Sequence, residues 1–369
     1  MKFSLKVIIF LIALLLIWAI LNGYFLLRVL SLPLFYFRTI KIVFSAIVLF
    51  FALSYVLGRI LTNMEYRGFA VFLEITGALW IGVLFIFVVY IFFADLLSFF
   101  GYFKSTTIFL RYLAIAISSI LTLFAFHQGL RTPVVKKEIV WVSNQHLSGL
   151  RIVQISDLHL GSIRGENFLK KVVKEINRLN PDIVVITGDI IDTDGRKEGH
   201  LKNIFKEIKT KKGVYGVLGN HEHYHGGDKN PAFFEESGIV LLRNRKIEID
   251  ENLVIAGVDD LSSKNHFANK EDFLKKALEN RKEGYLILLS HSPLEVERAS
   301  DMGVNLMLSG HCHNGQIWPF NFFSKMFYPY NYGRFKVKDM DLIITLGTGT
   351  WGPPMRFPLP GEIVLIDFK

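Results

Sequence analysis

The chain has 369 residues, 51% of them apolar, and a net charge of +9, enough for two units of ordinary domain size. Residues 1–150 hold 20 of the 33 Phe and 12 Lys or Arg against 4 Asp or Glu, while the remainder is close to neutral. The basic excess therefore belongs to the apolar half and not to a nucleic-acid-binding face; disorder, a collagen-like or coiled-coil fibre and, with Cys312 the single cysteine, an intramolecular disulfide framework are excluded.

Four uncharged stretches, 7–27, 42–57, 75–94 and 112–130, read as membrane-spanning helices within a transmembrane region 1–131, since about 20 apolar residues cross the hydrocarbon. The second is the shortest, and Lys41 and Arg59 beside it can snorkel to the interfaces. Lys2 and Lys6 ahead of the first run resemble a signal peptide, but no small-residue cleavage site follows and three further runs do, so an anchor is expected. Within these stretches the one ionisable residue is His127, too few for a transport path. Lys and Arg in the short loops number seven on the amino-terminal side against five opposite. That excess places both ends, and the rest of the chain, in the cytoplasm of a multi-pass membrane protein.

Residues 132–149 read as a polar linker with a strand-like piece at 138–142. From Leu150 the pattern changes to short Val/Ile/Leu runs, each ending in a polar cluster. Arg151–Ile155 ends in SDLHLG, Ile183–Ile186 in TGD, Val214–Leu218 in GNHEH, Tyr285–Leu289 in SHSP, Asn305–Leu308 in SGHCHNG and Leu342–Leu346 in GTGTWG. Such runs read as buried strands. Glu166–Leu179 carries Phe168, Val172, Ile176 and Leu179 at helical spacing. Short strands follow at 239–242, 246–249 and 253–256, then a helical pattern at 272–278. Strand–helix units, then strands, then strand–helix units again suggest α/β layers, sheets flanked by helices.

The polar clusters all sit at the carboxyl ends of expected strands, where open α/β sheets bind ligands. Asp157 and His159, two residues apart, face one side if the strand runs on. Asp189 follows the second strand, Asn220 and His221 the third, and His291 a later one; His311 and His313 repeat the two-residue spacing. Oxygen and imidazole donors without thiolate suit manganese, iron or zinc in an open site, not a structural zinc cage.

DLH, GD, GNHE, the His of SHSP and GHCH, in this order, resemble the signature of the calcineurin-like metallophosphoesterases over roughly Leu150–Phe368. The later YNYG and GTGTWGPPMRF segments resemble a bacterial branch that carries an amino-terminal membrane anchor. That branch usually reads GHTHGGQ where this chain has GHCHNGQ, so Cys312 and Asn314 depart from it without replacing a ligand. The resemblance implies two packed β-sheets flanked by α-helices over 150–369. It also implies two divalent ions, one held by Asp157, His159, Asp189 and His313. The other would be held by Asp189, Asn220, His291 and His311, with Asp189 bridging and His221 off the metals near the leaving group. Paired cations roughly 3.5–4 Å apart make a bridging hydroxide a nucleophile near neutral pH and neutralise developing phosphoryl charge, with His221 as general acid. Glu222 either orients His221 or faces solvent.

Gln316–Phe335 is crowded with aromatic residues, among them Trp318, together with Lys325 and Arg334. That composition suits a segment resting on a bilayer and guiding a lipid-linked phosphate to the metals; an aromatic cap packed on the domain is the alternative. Trp318 and Arg356 are candidate substrate contacts, Arg356 as a phosphate ligand or a structural ion pair. The expected activity is hydrolysis of a phosphodiester or pyrophosphate bond in a lipid or lipid-linked substrate, because relatives within the family resembled include enzymes that cleave UDP-diacylglucosamine. A phosphomonoesterase for small substrates and a non-catalytic membrane scaffold are the rivals, and the complete ligand set favours an enzyme.

Overall fold

The computed structural model describes residues 5–62, 67–192, 195, 198–226, 228, 231–263, 272–281 and 283–369; Lys2, used in the charge count, lies outside them. The chain divides into two units, 1–127 and 128–369.

The first unit is built from α1 (Leu5–Leu30), α2 (Arg38–Thr62), α3 (Arg67–Leu97) and α4 (Lys104–Leu130). Each is long and apolar enough to cross a membrane. Glycine lets α2 and α3 approach closely: a Cβ at Gly77 would overlap the Tyr55 backbone, the small-residue contact that membrane helices favour. The helices run beyond the uncharged stretches, and this corrects the expectation that His127 is the one ionisable group within them. Asp95 is fully buried and accepts from Arg111 Nε at 2.8 Å and Nη2 at 2.7 Å and from Tyr24 Oη at 2.7 Å, with Arg28 Nε 2.6 Å away. Glu74 pairs with Arg59 at 3.3 Å. Charged residues end an uncharged run in the sequence, but paired with one another they stay inside a helix at a much reduced cost.

The second unit takes its elements in chain order as β1 (Val134–Val140), β2 (Arg151–Ile155), α5 (Glu166–Arg178), β3 (Ile183–Thr187), α6 (Lys202–Phe205), β4 (Val214–Val217), α7 (Asn220–His225), α8 (Ala232–Glu236), β5 (Val240–Leu241), β6 (Arg245–Asp250), β7 (Leu253–Gly257), α9 (Phe273–Leu278), β8 (Tyr285–Leu289), α10 (Val296–Asp301), β9 (Leu306–Ser309), α11 (Phe320–Phe327), β10 (Gly333–Val337), β11 (Met340–Ile344) and β12 (Glu362–Phe368). They form two six-stranded mixed sheets, ordered β1-β12-β2-β3-β4-β5 and β10-β11-β9-β8-β7-β6. Ile152, Val185 and Val217 of the first meet Ile255, Ile287 and Leu308 of the second in one core. On the outer face of the first sheet α5 buries Leu169, Val172 and Ile176; on that of the second, α9 and α10 bury Leu274, Leu278 and Val296. Each such side chain contributes roughly 1.5–3 kcal/mol on leaving water. This is the expected architecture of two packed sheets flanked by helices.

The strand-like piece expected at 138–142 within the linker 132–149 belongs to an edge strand that starts earlier, at 134, and ends at 140. β1 pairs parallel with β12 from Val134↔Glu362 to Val140↔Phe368. Its lysines and glutamate blunt the open edge, and that polarity is what disguises the start of the strand in the sequence. β12 in turn runs antiparallel to β2. The start of β1 therefore lies at the edge of the sheet where β2 and β3 end.

Candidate metal centre

The loops leaving β2, β3, β4, β8 and β9 gather seven expected ligands at that edge. Asp157 and His159 do not share a face by continuing a strand, because β2 stops at Ile155. Both adopt left-handed backbone, with φ 54° and 48°, as do Asp189 at 52°, His311 at 72° and His313 at 48°. Non-glycine residues in this region carry strain that the surrounding structure has to hold, and here it turns successive side chains inward. Glycines give the room: a Cβ at Gly219 would overlap Asp189 Oδ1, and one at Gly310 would overlap Asp157 Oδ2. Asn314, where the resembled branch has glycine, also sits at φ 49°. Asparagine is among the few side chains that tolerate this conformation, so the loop keeps its course.

His221 joins two of the resulting donor groups, one with His159 and Asp189 and one with Asp192 and His225; two others are made of expected ligands alone. In one, His313 Nε2 lies 3.2 Å from Asp157 Oδ1 and 3.2 Å from His159 Nε2. In the other, His291 Nε2 lies 3.2 Å from Asp189 Oδ2, 3.1 Å from Asn220 Oδ1 and 3.1 Å from His311 Nδ1. Asp189 Oδ2 is also 3.7 Å from His159 Nε2, so one carboxylate faces both groups. Asp157, His159 and His313, and separately Asp189, His291 and His311, have ligand atoms close enough to hold a metal ion. Imidazole nitrogens turned toward one another and toward carboxylates form a donor set that a divalent cation satisfies. Burial opposes ionisation of Asp157 and Asp189, but the surrounding histidines hold both carboxyls well below the usual carboxylate range. Burial alone would lower the His159 imidazole; Asp192, then Asp189 and Asp157, outweigh it and raise it to about 9.

Outer contacts fix the candidate ligands. His291 Nδ1 is 2.8 Å from Thr187 O, His159 Nδ1 is 2.8 Å from Asp192 Oδ1, and His311 Nε2 is 2.7 Å from Tyr328 Oη. His221 stands beside the metal groups. Its backbone N–H donates to Asp189 Oδ1 at 2.9 Å, its Nδ1 lies 2.8 Å from the same Asp192 oxygen, and its ring meets Trp351 edge-on at 6.2 Å. Asp192, Tyr328 and Trp351 were not singled out from the sequence. Asp192, three residues after Asp189 in GDIID, is the one whose spacing offered a signal.

Two expectations change. Glu222 neither orients His221 nor faces solvent. It is fully buried and accepts from the N–H groups of Asp189 (3.0 Å), Ile190 (2.6 Å), Ile191 (3.0 Å) and Gly219 (2.7 Å). Burial, then the charge of Asp189, push its carboxyl up to about 7. Glu222→Ala strands these donors and is expected to cost on the order of 3 kcal/mol, at ~1–3 kcal/mol for each buried unpaired group; a lower denaturation midpoint of the metal-free chain checks this. Arg356 is fully buried and donates to Leu346 O and Gly349 O at 2.7 Å, with Nη2 3.1 Å from His313 Nδ1. Nε and Nη2 hold the 346–349 loop against His313, and the guanidinium has no ion pair among the described residues. Trp318 is half-buried, with its backbone N–H donating to Phe357 O at 2.9 Å, and the tryptophan whose ring meets His221 is Trp351.

Two packed sheets with Asp, His and Asn side chains converging at one edge define an α/β sandwich with a metal-binding centre. Residues 150–315 match the calcineurin-like phosphoesterase family. A Campylobacter jejuni protein named an uncharacterized metallophosphoesterase is 34% identical over 270 residues, covering 70% of this chain and 69% of that protein. The chain belongs to the calcineurin-like metallophosphoesterases, metal-dependent phosphoric ester hydrolases. A Danio rerio transmembrane protein with metallophosphoesterase domain is 32% identical over 273 residues, 70% of this chain and 62% of its own length. Among solved structures, Haemophilus influenzae NAD nucleotidase aligns with a TM-score of 0.37 and 18% identity, covering 54% of this chain and 50% of its own.

Proposed function

We propose that this protein is a membrane-anchored phosphoesterase with two metal ions, hydrolysing a phosphodiester or pyrophosphate bond in a lipid or lipid-linked substrate. The observation that carries the reading is Asp189, a single carboxylate shared by two donor groups with His221 alongside. Asp157, His159, Asp189 and His313 would hold one ion, and Asp189, Asn220, His291 and His311 the other. Two such ions, manganese, iron or zinc, supply an activated water and charge neutralisation at the phosphoryl oxygens. The Asp192 carboxylate at His221 Nδ1 orients the ring, leaving Nε2 to protonate the departing oxygen. Trp351 and Tyr224, both exposed and near His221, give the substrate side an apolar rim that suits an acyl chain. We place this domain on the cytoplasmic side, following the excess of Lys and Arg in the short loops, with no nucleic-acid partner.

The full chain in lipid nanodiscs with manganese is expected to hydrolyse bis(p-nitrophenyl) phosphate faster than p-nitrophenyl phosphate. A nucleoside-diphosphate-linked acylated sugar in the same discs should be turned over faster still. Preference for the monoester would overturn the diester reading, and indifference to the lipid-linked compound the lipid reading.

A further inference from the structure

α11 reads FNFFSKMF, and none of its residues is buried. Phe320, Phe322 and Phe323 are exposed, with Met326 at 77% and Phe327 at 76%. A helix of a soluble domain turns an apolar stripe to the core; this one leaves that stripe to something else.

The helix is nonetheless tied to the metal centre. Tyr328, the next residue, holds His311 at 2.7 Å. Ser324 Oγ donates to Asn331 Oδ1 at 2.7 Å, and Asn331 Nδ2 to Asn314 Oδ1 at 3.1 Å, directly after His313. Exposed Trp351 joins the same loop, its N–H donating to Gln316 Oε1 at 2.9 Å and its carbonyl accepting from Gln316 Nε2 at 2.9 Å.

Chain direction says what covers this surface. Only residues 131–133 separate α4, which is apolar and long enough to span a bilayer, from β1; three extended residues reach about 10 Å. The start of β1 lies at the edge of the sheet that carries the metal ligands. β1 also touches the aromatic segment, with Lys136 Nζ 4.6 Å from the Tyr332 ring centroid and Arg334 donating to Ile139 O. Gln128 and Gly129, the last turn of α4, are held within the same unit by Pro358 O and Arg164. The chain thus enters β1 at the metal edge, and β1 runs past Tyr332 and Arg334 of the aromatic segment that follows α11. Lys325, Lys136 and Lys137 supply cations for lipid phosphates there.

We propose that α11, with Trp351, inserts into the lipid bilayer that anchors the chain, so that the open side of the metal centre faces lipid headgroups. This deepens the lipid-substrate reading and rests on it for its consequence, but the contact itself is measurable without turnover. The full chain is reconstituted at one copy per nanodisc, with a fluorophore on Phe323→Cys or Met326→Cys. Lys211→Cys, in the loop that leads into β4 at the opposite edge of the sheet, is the control, and the buried Cys312 sets the labelling background. Brominated lipids are expected to quench positions 323 and 326 about twofold or more, since interfacial helices bury roughly 5–10 Å into the headgroup boundary, and to leave 211 unchanged. Equal response at all three positions overturns the proposal. Hydrolysis of bis(p-nitrophenyl) phosphate in the same discs reports separately on the phosphoesterase reading. Quenching without hydrolysis upholds this contact while counting against that reading; hydrolysis without quenching does the reverse.

Discussion

Asp189→Asn is expected to lower kcat for diester hydrolysis on the order of 10³-fold or more, the scale of losing a preorganised charge-stabilising element, and to reduce bound metal from two ions per chain. The geometry explains why this exceeds the other ligand substitutions. Asp189 Oδ2 faces His291 at 3.2 Å and His159 at 3.7 Å, one from each donor group, so its loss weakens both. Oδ1 accepts the His221 backbone N–H at 2.9 Å, and an asparagine oxygen can keep that bond. The amide NH₂ then faces the two histidines as a donor where an anion stood. Elemental analysis with steady-state kinetics checks the result. An unchanged metal count with unchanged turnover would remove Asp189 from its bridging role.

His221→Ala is expected to lower kcat by about 10²–10⁴-fold, the range of general acid catalysis, with metal content unchanged. The loss should be larger for an alkyl leaving group than for p-nitrophenolate, which departs without a proton. Equal losses on both esters would reassign His221 to binding or structure. Asp192→Asn should act in the same direction at roughly 10–100-fold, the usual cost of losing a supporting contact. It stands 2.8 Å from both His221 Nδ1 and His159 Nδ1, so it is also expected to weaken metal binding where His221→Ala does not.

The candidate ligands were legible because each follows a Val/Ile/Leu run that reads as a strand, and because their chemistry repeats in order. How they converge was not. The two-residue spacing of Asp157 and His159 suggested a continuing strand, whereas left-handed backbone after Ile155 does the work, and no side-chain pattern announces a positive φ. Glu222 and Arg356 were misread for a related reason: both spend their polar atoms on backbone groups of distant loops, partners that leave no trace in spacing. Only the end of β1, from 138, was legible, because the lysines that protect an edge strand mask its start. In the first unit Asp95, Arg28 and Arg111 ended the uncharged stretches, and only the packed helices reveal that they answer one another. The exposed apolar face of α11 was legible as composition, but its tie to His311 through Tyr328 was not.

The most direct test of the two-metal centre is titration of the metal-free full chain with manganese at pH 7, following bound ions, released protons and diester hydrolysis together. His159, raised to about 9 by its carboxylate neighbours, carries a proton at pH 7 in the metal-free chain and must lose it to become a ligand. Two ions per chain are expected, with net proton release, apparent affinity rising as pH approaches 9, and hydrolysis appearing as both sites fill. A chain that binds no manganese, or binds it without proton release and without hydrolysing either ester, would contradict the account.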